Sequence, residues 1–209
     1  MDHRLTWSRV IPLTESSTIL PSKVNGVYIF FLRHNEYHRI IYVGSGNILN
    51  EQKSYIRMYK KGDTFLLDLN KILTDPYDYM TARRYCINRQ QQIKCIYEGG
   101  EYKKLNDNEY VYLKSIANKY LTNSFISYAL IEHDYVRVES IIQKFLINQF
   151  KIDWYSKYGN IVGLRRNSSF KEKSDHRVIN RFDDNDKYWF DDIPDIINDD
   201  KVNYTFKQI

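Results

Sequence analysis

Cysteine is almost missing from this chain: 209 residues hold two, Cys86 and Cys95. Two thiols so placed make neither a disulfide framework nor a zinc site, and reduced thiols suit a cytoplasmic protein. Glycine and proline are sparse, with 8 and 4 copies. No segment is low in complexity and no internal repeat is present, which excludes linker and solenoid architectures. No uninterrupted apolar run reaches membrane-spanning length, so no membrane partner is expected. The opening residues, Met1-Asp2-His3-Arg4-Leu5-Thr6-Trp7, lack the basic-then-apolar pattern of a secretion signal, and a cytoplasmic location is expected. The histidines (His3, His34, His38, His133 and His176) show no metal-ligand spacing and are expected at the surface.

What is present is a folded, tyrosine-rich chain, with 43% hydrophobic residues and 19 Tyr. Its length fits one domain, or one domain with a large insertion. The net charge of +5 understates the basic body, because residues 183–200 hold eight Asp against Lys187 alone. A basic body attracts polyanions, since phosphate neutralisation releases counterions. The acidic segment reads as a tail that either mimics DNA or aids solubility.

Gly26 to Phe31 is β-branched and aromatic and reads as a buried strand. Ile40-Ile41-Tyr42-Val43 reads as its hairpin partner, with Gly44-Ser45-Gly46-Asn47 breaking the strand. A helix is expected from about Asn50 to Lys61, with Lys53, Arg57 and Lys61 on one face, and a second over 64–73, before Asp75-Pro76. Tyr85 to Lys103 reads as a hairpin around Gly99-Gly100. Asn108 to Tyr120 reads as a helix with Val111, Leu113 and Ile116 inward. Phe125 to Ile131 is a third core strand. Tyr135 to Phe150 is an amphipathic helix whose core side carries Val138, Ile141, Ile142, Phe145 and Gln149. Trp7, Val10, Ile11 and Leu13 are expected to dock on the core. The fold expected is α+β: a small three-stranded mixed sheet flanked by helices. Its core covers about 20–73 and 124–150, with an inserted hairpin/helix region at 74–123 and a loop-rich C-terminal extension over 151–209.

Two triplets carry the chemistry: Gly26-Val27-Tyr28 and, with its tyrosine fourteen residues later, Tyr42-Val43-Gly44. They sit on adjacent strands, after Leu20-Pro21 and before a helix with a basic face. This set resembles the GIY-YIG nuclease superfamily, whose members include excision-repair nucleases, homing endonucleases and some type II restriction enzymes. In that family a helix after the second triplet supplies a catalytic arginine. A later strand precedes a helix that carries a metal-binding glutamate. Phe125–Ile131 followed by Glu139 matches that order, with Glu132 and Asp134 as rival carboxylates.

Phosphodiester hydrolysis needs a positioned water and stabilised charge on the phosphate and the leaving oxygen. The resemblance implies that Tyr28 binds or activates the water and that Tyr42 assists at the phosphate. It gives Arg57 the transition-state charge and Glu139 an Mg²⁺ (or Mn²⁺) ion. The family's arginine usually follows the second tyrosine by ten or eleven residues, here Gln52 or Lys53. Arg57 lies one turn beyond Lys53 on the same face and binds phosphate bidentately, as lysine does not. The family's His or Tyr partner of that arginine is replaced by Lys61, with Tyr59 and Tyr55 nearby. Lys53 and Lys61 are further catalytic candidates, and the family's asparagine beyond the glutamate helix is matched to the loop residue Asn160, with Asn167 as the alternative. Arg83, Arg84, Arg165, Arg166 and Asn167 are candidates for DNA contact. A compact chain that embellishes its nuclease core looks most like a type II restriction endonuclease acting on double-stranded DNA. Palindromic sites would favour a homodimer.

Overall fold

A computed structural model describes residues 1–34, 37–61, 84–88, 93–98, 101–104, 106–150 and 175–199. The element order is β1 (Asp2–Thr6), β2 (Ile11–Pro12), a short helix α1 (Ser16–Ile19), β3 (Asn25–His34), β4 (Tyr37–Asn47) and α2 (Ile48–Lys61). There follow β5 (Arg84–Asn88), β6 (Ile93–Glu98), β7 (Glu101–Lys104), α3 (Asp107–Thr122), β8 (Ser124–Leu130) and α4 (Tyr135–Phe150). The described chain closes with β9 (Arg177–Arg181), a 3₁₀ turn (Lys187–Phe190) and β10 (Ile196–Asn198). The architecture is α+β.

The core sheet has the order β2-β8-β3-β4, and its three strand pairs are all antiparallel. The three strands expected from sequence do form one sheet, but it is four-stranded and antiparallel. Mixed pairing occurs in a second, three-stranded sheet, β1-β9-β10, where β1 runs parallel and β10 antiparallel to β9. That sheet joins the N-terminal strand to residues 175–199, a pairing over a sequence distance that no local pattern encodes.

Strand β3 is the sheet's spine. Val27 to Leu32 are all buried, as expected for a strand covered on both faces. Its Phe30 stacks against Tyr42 and meets Tyr55 of α2 edge-on, at 4.7 Å between ring centres. On the other face Phe31 packs against Trp189 and Phe190. Fully burying such a side chain contributes about 1.5–3 kcal/mol, so the acidic segment docks through its apolar residues. Trp189, Phe190, Ile193 and Ile197 are all core residues. Trp7 donates its indole N–H to Asn180 Oδ1, and Asn180 donates to the Pro194 carbonyl. Asp199, fully buried, binds Arg137 at 2.7 Å and Lys144 at 2.9 Å on α4. Residues 183–199 are therefore part of the folded body.

Other differences from the sequence reading are local. Strand β4 runs through Gly44-Ser45-Gly46 to Asn47, and Asn47 Oδ1 accepts the Asn50 N–H, capping α2 two residues earlier than expected. Strands β6 and β7 pair antiparallel as the hairpin expected between 85 and 103, and β5 adds a third strand to that sheet, β5-β6-β7. Val111 is 65% exposed, so it is not on the inward face of α3. His3 is buried, correcting its expected surface position: its Nε2 lies 2.7 Å from His176 Nδ1 and the rings stack. Burial, then the facing His176, lowers the His3 pKa. Among the described residues no helix is long and apolar enough to cross a membrane. The sequence-expected helix over 64–73 lies outside the described residues.

Candidate active site

Register places the two triplets together. Gly26 pairs with Gly46, Tyr28 with Gly44 and Phe30 with Tyr42 across the β3–β4 hairpin. Directly opposed residues share a face, so the Tyr28 and Tyr42 rings lie side by side, 5.8 Å apart. Gly44 makes this possible, because a β-carbon there would lie 2.5 Å from both Cζ and Oη of Tyr28. Gly26 answers a different need: a β-carbon would come within 2.3 Å of the Ala129 carbonyl oxygen on β8.

A third phenol completes the cluster. Tyr55, from α2, lies 4.9 Å from Tyr42, and the Tyr42 hydroxyl is hydrogen-bonded to both Tyr55 and Tyr28. Tyr28 is buried, and burial drives its phenol far above the ordinary range; the Tyr42, Glu51 and Glu139 charges push the same way. Burial also raises the Tyr42 phenol, although its hydrogen bonds to Tyr55 and Tyr28 oppose that shift. Both tyrosines are thus neutral O–H groups in a field made negative by two carboxylates.

Glu139 reaches the hairpin from a helix more than ninety residues downstream. Its Oε2 accepts a short hydrogen bond from the Ser45 hydroxyl, and its Oε1 accepts one from Gln143 Nε2 at 2.7 Å. Gln143 Nε2 also donates to the Val43 carbonyl at 2.9 Å. Ser45 pairs with Val27, so by strand alternation its side chain is on the face opposite Tyr28 and Gly44. The carboxylate and the phenols therefore approach β4, the last strand of the sheet, from its two sides.

The expected cations do not join this group. Arg57 and Lys53 are exposed. They lie about 200° and 160° around α2 from Tyr55, on the side away from the tyrosines. They share a face, as their spacing implies, but the opposite one. Gln52, the other position at the family's usual spacing, is buried and donates to Leu13 O and Ser16 Oγ. Of the three candidates for the partner role, Tyr55 is the one seen in the cluster. Glu132 and Asp134 are exposed in the loop between β8 and α4. The Lys61 side chain, Arg83, Asn160, Arg165, Arg166 and Asn167 lie outside the described residues, and so does the side chain of Arg84.

Among the described residues no group of three His, Cys, Asp or Glu is arranged to hold a metal ion by itself. On the α4 side of β4 the donor is the Glu139 carboxylate, held by Ser45 and Gln143, while the phenol oxygens lie on the other side. Hard oxygen donors suit Mg²⁺ or Mn²⁺, and Mg²⁺ ordinarily binds through one or two carboxylates with water and phosphate completing its shell. The residues fit that mode, with Glu139 as ligand. Sequence reasoning missed Ser45, Gln143 and Glu51. Ser45 was hidden in a presumed strand break. Gln143 could have been found from its position one turn after Glu139.

No family model, curated protein or solved structure matches this chain. What the site can do follows from its own geometry.

Proposed function

We propose that this chain is a GIY-YIG-type, metal-dependent endonuclease that hydrolyses phosphodiester bonds of double-stranded DNA. The observation that carries the proposal is that one strand, β4, meets Tyr28 through Tyr42 on one face and holds Glu139 through Ser45 on the other. Tyr28, Tyr42 and Glu139 come from two adjacent strands and a distant helix, and Ser45 lies three residues past Tyr42. The order and spacing of these elements resemble that superfamily.

In this reading Glu139 holds Mg²⁺ or Mn²⁺, which when bound supplies positive charge to the phosphate and the leaving oxygen. Tyr28 and Tyr42 act as O–H donors that orient the attacking water and a phosphate oxygen. They do not act as bases, because burial, with the Glu51 and Glu139 charges adding to it, keeps both phenols protonated. The negative field of the two carboxylates repels a bare phosphate, which supports dependence on a divalent cation. The net charge of +5, with the acidic segment included, attracts DNA. Segments beyond the nuclease core carry Arg83, Arg84, Arg165, Arg166 and Asn167, candidates for DNA contact in sequence-specific cleavage of the type II restriction kind, for which palindromic sites would favour a homodimer.

A second reading is a DNA-binding protein without catalysis, favoured by the placement of Lys53 and Arg57 away from the tyrosines. Digestion of a sequenced plasmid with Mg²⁺ or Mn²⁺ separates the readings. Discrete fragments support restriction. A smear, or cleavage of branched DNA alone, supports a nuclease of low sequence preference. Binding with no cleavage under any divalent metal supports the second reading.

A further inference from the structure

We propose that Ser45 and Gln143 are positioning residues that orient the Glu139 carboxylate for a divalent cation; this rests on reading Glu139 as the metal ligand. Gln143 lies one helical turn beyond Glu139, so both project from the same side of α4. Its side chain is almost wholly buried. The two hydrogens of its Nε2 are divided between two acceptors, Glu139 Oε1 at 2.7 Å and the Val43 carbonyl at 2.9 Å. Val43 stands between Tyr42 and Gly44. One amide therefore ties the carboxylate to the backbone of the strand that carries the tyrosine. Ser45, two residues on, donates to the other oxygen, Oε2.

The chemistry of these donors matters. Each carboxylate oxygen carries two lone-pair directions, and a neutral donor on one of them fixes the group's rotation and leaves its charge intact. A lysine or arginine at either position would neutralise the carboxylate and compete with a metal ion. Lys144, the neighbouring cation on the helix, is kept from that role: its ammonium is held 2.9 Å from Asp199 Oδ1. Arg137 is held by the other oxygen of the same aspartate. Both cations lie about 140–160° around α4 from Glu139. Gln143 from α4 and Ser45 from β4 thus present neutral donors to the carboxylate, and α4 holds Arg137 and Lys144 on its opposite side. Partners of this kind typically change metal affinity or activity 10- to 100-fold.

The test uses the full chain, with Mn²⁺ binding followed by electron paramagnetic resonance beside Mg²⁺-dependent DNA cleavage. Gln143→Met keeps the volume and removes the donor. Ser45→Ala removes the second donor and leaves the Val43 anchor, so it carries the test if Gln143→Met does not fold. Each variant is expected to weaken Mn²⁺ binding by about tenfold or more and to recover cleavage in excess Mg²⁺. Glu139→Ala is expected to abolish both signals. Wild-type Mn²⁺ affinity in a folded Ser45→Ala or Gln143→Met variant overturns the proposal, as does wild-type protein whose Mn²⁺ binding ignores Glu139→Ala. A protein that binds Mn²⁺ through Glu139, loses affinity in the two variants and yet cuts no DNA upholds the positioning role and overturns the nuclease reading.

Discussion

Tyr28 and Gly44 face each other across the β3–β4 pair, and the Tyr28 hydroxyl fills the space that a side chain at position 44 would need. The final glycine of the second triplet is thus explained by the tyrosine of the first. Gly44→Ala forces the rings of Tyr28 and Tyr42 out of place. Overpacking of this kind costs about 1–3 kcal/mol, to be read as a lower urea midpoint, and cleavage falls with it. Unchanged stability would show that the tyrosines can give way.

Tyr28 also sets a pH dependence. Its folded pKa is raised above the ordinary 10.0, with burial the largest cause. The folded state therefore keeps a proton that the unfolded state loses. The stability from the neutral phenol is complete below pH 10 and falls as pH rises above it, by about 1.4 kcal/mol per pH unit for one proton. Urea unfolding between pH 9 and 11.5 should show a shallower decline for Tyr28→Phe than for the wild type. Parallel slopes would contradict the assignment.

Much of this was legible in the sequence where one local pattern dominates. The run Val27 to Phe31 reads as a strand because both its faces are apolar, and α4 reads as a helix because Val138, Ile141 and Ile142 recur at helical spacing. What failed to show depended on a partner far along the chain. Gly44 and Gly46 read as breakers until Tyr28 supplies a reason for Gly44. The period of four places Lys53 and Arg57 on one face but cannot say which face meets the sheet. The aspartates of 183–199 read as solvated charge because nothing local reveals that Asp199 meets Lys144, or that Trp189 and Phe190 meet Phe31.

Arg57 gives a prediction that separates resemblance from geometry. In the family's role an arginine acts at the phosphate, and its loss would be severe. From the far side of α2, Arg57→Ala is expected to keep cleavage within roughly an order of magnitude of the wild type and stability within about 0.5 kcal/mol. A loss of cleavage by several orders of magnitude with DNA binding kept would restore Arg57 to the site.

Asp199 is predicted to hold the C-terminal segment against α4. Its side chain is fully buried between Lys144 and Arg137. Asp199→Ala removes the carboxylate that buried Lys144 and Arg137 bind and should cost about 3–5 kcal/mol, seen as a large drop in Tm. Combining Asp199→Leu with Lys144→Met and Arg137→Leu should recover most of that loss, since an apolar group of similar volume avoids the desolvation cost. An Asp199→Ala protein as stable as the wild type would show that the Asp199 ion pairs do not hold the segment in place.

The measurement that bears most directly on the central claim is cleavage of plasmid DNA in Mg²⁺ by the wild type and by Glu139→Gln, with DNA binding measured beside it. The wild type should cut, and the variant should bind DNA without cutting. A Glu139→Gln protein that cuts as the wild type does would contradict the account.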